Sequence, residues 1–175
     1  MTEQWAEQFM RALGKKLKED AGDAEPQQNE QTGLWYVQSF LQLFPELDIN
    51  VLMQTMVFEA RTGVPQAEII FVITNDVKPG TEEELEKAIA ELNYISPIGF
   101  FGLRRGSGSL YLRDCLPFFD WEEADLGRLV QQTEVYYTMM MEALGGGYEG
   151  LMKLWTGELL YEQTMEQGLL NRAPH

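Results

Sequence analysis

The spacing of apolar residues changes several times along the chain, and each change predicts a different element. Residues 2–18 place large apolar side chains three or four positions apart, which predicts an amphipathic helix. The segments "LWYVQSFLQLF", "INVLMQTMVFEAR" and "AEIIFVITND" then follow, rich in aromatic and β-branched residues and closer to alternation. We therefore expect a helix followed by three strands, although the first of these segments also fits helical spacing.

Helical spacing returns after residue 80. "TEEELEKAIAEL" opens with Thr81 and Glu84, whose separation predicts a capping box at the start of a helix. The next segment alternates on both sides of "RGSG", residues 105–108, which predicts a hairpin. Asp120 and Glu123 predict a second capping box before a long helix. The glycines at 145–147 are expected to end that helix before another begins.

These segments predict one α+β domain with two weakly ordered parts. Residues 1–18 form the N-terminal helix, residues 19–33 a polar linker without large apolar side chains, and residues 34–170 the domain. Residues 171–175 are expected to fray. The fold class is an antiparallel sheet of about five strands with the helices packed on one face, in the order α-βββ-α-ββ-α with a short helix after it.

Charge narrows the range of partners. The 175 residues carry 13 Lys and Arg against 28 Asp and Glu, a formal net charge of −15. Such a chain is disfavoured as a ligand of nucleic acid or of an anionic membrane, both of which are recognised through positive charge. Partners that are basic or held by apolar contact are favoured. With no apolar run of membrane-spanning length and no signal-peptide pattern, we expect a cytoplasmic protein.

Residues suited to catalysis or metal binding are few. The only histidine is His175 at the C-terminus, and the only cysteine is Cys115, so neither a nucleophile pair nor a zinc site is expected. "GGGYEG", residues 145–150, matches the dinucleotide-binding spacing but follows a helix instead of a strand. We therefore expect no catalytic residue, cofactor or metal.

The arginines beside the predicted hairpin support an alternative function. Arg104, Arg105 and Arg113 lie near Asp114 and next to a Gly-Ser run, so they could hold a small anionic ligand or serve an enzyme. A plain turn is favoured, because phosphate-binding loops normally lead into the N-terminus of a helix.

Two apolar groups suggest a protein interface instead. The triplet Met139, Met140 and Met141 spans most of the circumference of a helix, so its members cannot all face one core. With Tyr136 it predicts either a helix buried on all sides or an adaptable binding surface. Trp5, Phe9 and Leu13 form a stripe on the first helix that could dock on its own sheet or on another chain.

The order of elements resembles the type III secretion chaperone-like fold and, within it, the YbjN-like family of small bacterial proteins. The stretches that carry the resemblance are residues 34–61 and 67–76, the hairpin "FGLRRGSGSLYLRDCLPF", and the C-terminal "DLGRLVQQTEVYYTMMMEALGGGYEGLMKLWTGE". The chaperone branch consists of small acidic homodimers that hold an extended client peptide, and the YbjN branch is described as regulators of sensory transduction. The resemblance implies a non-enzymatic protein-interaction module, chaperone-like or regulatory, that forms a homodimer. It supplies no catalytic residues, and the linker at 19–33 and the extension after Trp155 depart from the family pattern.

Overall fold

The computed structural model describes residues 1–21, 24–44 and 49–170, so the predicted frayed end at 171–175 lies outside the described residues. The helices are α1 (Glu3–Ala21), α2 (Glu82–Ile95), α3 (Leu126–Trp155) and α4 (Tyr161–Glu166). The strands are β1 (Gln27–Gln28), β2 (Trp35–Phe44), β3 (Ile49–Glu59), β4 (Pro65–Thr74), β5 (Phe100–Arg104) and β6 (Ser109–Pro117). The α+β class and the predicted order of elements are confirmed.

The described strands form one antiparallel sheet in the order β1-β2-β3-β4-β6-β5. The additional strand, β1, lies inside the segment predicted as a linker, where Gln27 pairs with Tyr36 and Gln28 with Trp35. The predicted hairpin is confirmed: β5 and β6 are joined by a 3₁₀ turn over Arg105–Ser107. Gly108 follows it at φ +62°, a conformation that glycine adopts without strain.

The chain divides into two compact units, of which the first comprises residues 1–71 and 114–137. In this unit α1 packs on β2 and β3 through Phe9, Met10 and Leu13, all fully buried. Trp5 stacks on Phe9 with ring centroids 5.5 Å apart, and both rings meet Phe118 edge-on. The stripe predicted on the first helix therefore lies against the chain's own sheet.

The second unit comprises residues 72–113 and the residues from Thr138 onward. Here α2 packs against β5 and α4. Its core is made of aliphatic side chains from the helices and the hairpin: Leu85, Leu92, Leu110, Leu112, Leu144, Leu151 and Leu154. Phe101 pairs with Leu112 and Leu103 with Leu110, as the alternation around the turn predicts.

The predicted break at Gly145–Gly147 is wrong, because α3 continues through these glycines to Trp155. A Cβ built on Gly147 would lie 2.8 Å from Leu92 Cδ2, and one on Gly150 would lie 2.6 Å from Leu170 Cδ2. These two glycines allow close packing inside a continuous helix, which outweighs their low helix propensity.

Neither predicted capping box forms. The Thr81 hydroxyl donates to the Lys78 carbonyl, and the Glu84 carboxylate accepts from the backbone of Tyr161 instead of the helix start. The helix that Asp120 was predicted to cap begins later, at Leu126, where Asp125 Oδ1 accepts from the Arg128 N–H. A partner distant in sequence, the Tyr161 N–H, thus competes successfully for the Glu84 carboxylate that the local pattern assigns to a cap.

Candidate interaction surface

Alternation along β2 and β3 separates two faces of the sheet in the first unit. On the inner face Val37, Val51, Met53 and Val57 are fully buried. Residues of opposite parity point the other way and remain at least partly exposed. We call this the outer apolar face and define it by its large side chains: Tyr36, Phe40, Leu52, Met56 and Phe58.

The register of β2 and β3 places these side chains in cross-strand pairs. Phe40 lies opposite Leu52, Tyr36 lies opposite Met56, and between the two pairs Gln38 donates to Gln54 at 3.3 Å. Directly opposed side chains on one face of an antiparallel pair are in contact range. The outer apolar face therefore holds two apolar pairs with one glutamine pair between them, and Phe40 is its most exposed member at 65%.

A groove opens elsewhere in the same unit, where β6 ends and α3 begins. It has a volume of about 540 Å³. Its walls are Leu116, Pro117, Phe119, Asp120, Arg128, Gln131, Gln132 and Val135. Phe119 is 81% exposed, and Arg128 pairs with Asp120 at 2.8 Å on the rim. Both charged side chains are more than a third exposed, so the pair contributes little to stability.

The methionine and tyrosine side chains predicted to bind a partner differ widely in exposure. Met140 is fully buried, Met141 is half-buried and Met139 is 44% exposed. Tyr136 is half-buried and its hydroxyl donates to Asp114 Oδ2 at 2.8 Å. Burial first, and this hydrogen bond second, raise the pKa of Tyr136 well above its usual value.

The aromatic stripe of α1 is mostly inaccessible. Phe9 and Leu13 are fully buried, and only Trp5 keeps partial exposure, with Trp121 edge-on at 5.5 Å. Partner binding through Trp5, Tyr136, Met139 and Met141 stays a prediction. The buried Phe9, Leu13 and Met140 have no free surface to offer in this conformation.

The arginines of the alternative function lie in the second unit, at different places on the hairpin. Arg105 makes two contacts with the Glu86 carboxylate, at 2.7 and 2.5 Å, which lower the pKa of Glu86. Arg104 and Arg113 pair with Ser109 and Phe100 at opposite ends of β5, about 13 Å apart along the strand. Binding of a small anion by these arginines stays a prediction.

Asp114 is the acidic residue beside the arginines of the alternative function. It is half-buried, and besides Tyr136 it accepts the N–H of Cys115 through Oδ1 at 2.7 Å. Across the described ranges, no group of three or more His, Cys, Asp or Glu side chains is arranged to hold a metal ion. Nor does any described helix have the length and apolar character needed to cross a membrane.

The partner-binding residues predicted from the sequence do not include Phe40, Leu52 or Met56. Their signal was the alternation itself, in which even-numbered positions of β2 and β3 keep large side chains. The groove was not predicted from the sequence. The one signal for it was the apolar run "LPFF" at residues 116–119.

No protein-family model matches the chain, and no curated protein matches its sequence.

Proposed function

We propose that the chain is a non-enzymatic interaction module that binds a segment of another polypeptide, in a chaperone-like or regulatory role. The observation that carries this proposal is the outer apolar face, where two cross-strand pairs of large side chains, on either side of the Gln38–Gln54 pair, remain at least partly accessible. Exposed apolar patches of this kind typically mark sites of association with proteins.

The chemistry of the partner follows from the surface and the charge. Large apolar side chains would supply the buried contacts, with Phe40 the most accessible anchor. The net charge of −15 favours a partner segment flanked by basic residues and speeds its encounter. A YbjN-like or secretion-chaperone-like fold would suit this role, and that assignment is part of the proposal.

Charge substitutions on β3 test the proposal. Met56→Glu places a carboxylate within the outer apolar face, whereas Gln54→Glu adds the same charge on the same strand and face at a position that is already polar. Both chains and the wild type serve as bait in pull-downs from lysate, with captured proteins quantified by mass spectrometry. We expect a protein held by wild type and Gln54→Glu to be reduced at least tenfold with Met56→Glu.

Circular dichroism and thermal melting establish that all three baits are folded. Equal capture by Met56→Glu and Gln54→Glu would show that the outer apolar face does not bind the partner. Capture lost by both variants would point to general electrostatics and would also contradict the proposal.

A further inference from the structure

We propose that two copies of the chain pair through the free edge of β2, so that the sheets of both copies join across a two-fold axis. A homodimer is already implied by the resemblance; the new inference is the edge and the register through which it forms, whereas the proposed function concerns the outer apolar face. The reasoning begins with how each edge of the sheet ends.

The edge at β5, in the second unit, is blocked by a side chain of α2. Phe101 lies on β5 between Phe100 and Gly102, which are opposite Arg113 and Tyr111 of β6. The Asn93 amide reaches the backbone of Phe101 twice: Nδ2 donates to its carbonyl at 3.0 Å, and Oδ1 accepts its N–H at 2.7 Å. Two of the hydrogen-bonding groups that a further strand would use are therefore satisfied internally.

A second edge, in the first unit, begins where β5 stops. β5 pairs only with the part of β6 up to Arg113, which leaves Asp114–Pro117 without a strand on that side among the described residues. The Phe118 N–H donates to the Pro65 carbonyl of β4, so by alternation Cys115 and Pro117 direct their backbone groups toward the free side. The Cys115 N–H is accepted by Asp114 Oδ1, and Pro117 has no N–H. Neither residue therefore offers a free N–H to a further strand.

The edge of β2 lacks such protection. β1 covers only Trp35 and Tyr36, so the edge is free of strands from Val37 onward within the described ranges. The Leu34 carbonyl accepts from Asn29 on the β1 side, and alternation therefore directs the N–H and C=O of Gln38, Phe40 and Gln42 outward. All three residues are exposed, and no hydrogen bond to these backbone groups is found within residues 1–21, 24–44 and 49–170.

The uncharged sequence of this edge favours pairing with a second copy of the chain. Residues 34–44, "LWYVQSFLQLF", contain no charged residue and no proline, although the whole chain carries −15. An antiparallel copy can therefore approach without placing like charges side by side. The residues whose backbone groups point away from the edge are Gln38, Phe40 and Gln42. Their order is the same in both directions along the strand, so the edge complements an antiparallel copy of itself about Phe40.

The symmetry fixes the register of the pair. Phe40 lies opposite Phe40 of the second copy, and Gln38 lies opposite its Gln42, each as a hydrogen-bonded pair that exchanges both N–H···O=C bonds. A bulge between Gln42 and Phe44 ends the regular edge at its C-terminal side, which confines pairing to this centre. The two Phe40 rings meet on one face, an arrangement that stabilises antiparallel strands.

Disulfide trapping tests this register in the full chain. With Cys115 replaced by Ser, Phe40→Cys puts two thiols in a hydrogen-bonded pair whose Cα atoms are about 5.5 Å apart, within disulfide range. Gln38→Cys is the matched control, since its own copy would lie about 13 Å away along the strand. We expect mild oxidation to link most of the Phe40→Cys chains and few of the Gln38→Cys chains, with linkage restored when Gln38→Cys and Gln42→Cys chains are mixed.

Sedimentation equilibrium of the unmodified chain provides a second readout. The expected mass is twice the 20.1 kDa of one chain, and dimerisation should strengthen as salt rises from about 0.01 M to about 0.15 M, which shortens the Debye length from about 30 to about 8 Å. A mass of one chain at all concentrations, or equal linkage of Gln38→Cys and Phe40→Cys, would overturn the proposal. Met56→Glu changes β3 and not the edge, so loss of the partner and loss of the dimer are separately observable.

Discussion

A buried hydrogen bond joins β3 to α3 within the first unit. Thr55 Oγ1 and the Tyr137 hydroxyl are 2.7 Å apart, and both residues are buried. Burial raises the pKa of Tyr137 well above its ordinary value, so the hydroxyl stays protonated at neutral pH. The bond satisfies two polar groups that would otherwise be left in the core.

We expect Tyr137→Phe to lower the free energy of unfolding by about 1–2 kcal/mol, because Thr55 keeps a buried hydroxyl without its partner. Urea unfolding followed by circular dichroism measures the change. The double variant Thr55→Val with Tyr137→Phe removes both polar groups and should recover most of the loss. Wild-type stability in Tyr137→Phe alone would contradict the role assigned to this bond.

Substitution at Ser39 should act in the opposite direction. Its side chain is buried on the inner face of β2, and within the described residues its hydroxyl has no hydrogen-bond partner. Ser39→Ala should therefore raise the free energy of unfolding by about 1 kcal/mol, because an unsatisfied buried group is removed. Thermal melting beside wild type checks the sign, and a lower melting temperature would show that the hydroxyl is satisfied in solution.

At the scale of elements, α3 illustrates how packing overrides helix propensity. In an exposed helix, Gly→Ala stabilises by about 1 kcal/mol. At Gly150 the added Cβ would lie 2.6 Å from Leu170 Cδ2 and 3.0 Å from the Leu169 carbonyl oxygen. We expect Gly150→Ala to destabilise by about 1–3 kcal/mol, the usual range for overpacking, as measured by urea unfolding. A stabilised variant would show that the α4 end of the chain shifts freely.

The anchoring of α4 to α2 should depend on pH through Glu84. Its Oε1 contacts Lys87 Nζ at 2.5 Å and its Oε2 accepts the Tyr161 N–H at 2.7 Å. The Lys87 interaction first, and the Tyr161 bond second, hold the pKa of Glu84 below 4.5. A folded-state pKa below the unfolded value stabilises at pH above 4.5, and this contribution is lost as the pH falls through the folded value.

Amide exchange at Tyr161, corrected for the intrinsic rate, measures this dependence. Protection should be constant near neutral pH and decrease in acid below about pH 4.5, the unfolded reference value. Glu84→Gln should remove the pH dependence, whereas Glu83→Gln at the exposed neighbouring position should retain it. The same acid dependence in Glu84→Gln would contradict the assignment.

The elements show what alternation and spacing can predict. The strands β2, β3 and β4 and the helix α2 lie where the apolar pattern places them, because a buried face requires that pattern locally. The capping box at Thr81 and the break at Gly145–Gly147 failed because each depends on a residue distant in sequence, Tyr161 for Glu84 and Leu92 for Gly147, about which local spacing carries no information. The box at Asp120 failed because the helix begins later, where Asp125 caps it.

For the whole molecule, the α+β architecture was predictable and the surfaces were only partly so. Alternation already indicated that the strands carry apolar residues on both faces. The free edge of β2 and the groove at Phe119 were not predictable, because they depend on how far β1 and β5 extend along their neighbours. Strand length relative to a neighbour is a property of the assembled sheet and not of either segment.

The central claim is that the outer apolar face binds another polypeptide, and site-specific photocrosslinking in cells tests it most directly. A benzophenone amino acid replaces Phe58 on that face, and in a matched chain it replaces Tyr94 of α2, an aromatic residue that is 87% exposed. We expect irradiation to yield a discrete heavier adduct from position 58 and none from position 94. Adducts of equal yield from both positions, or none from position 58, would contradict the account.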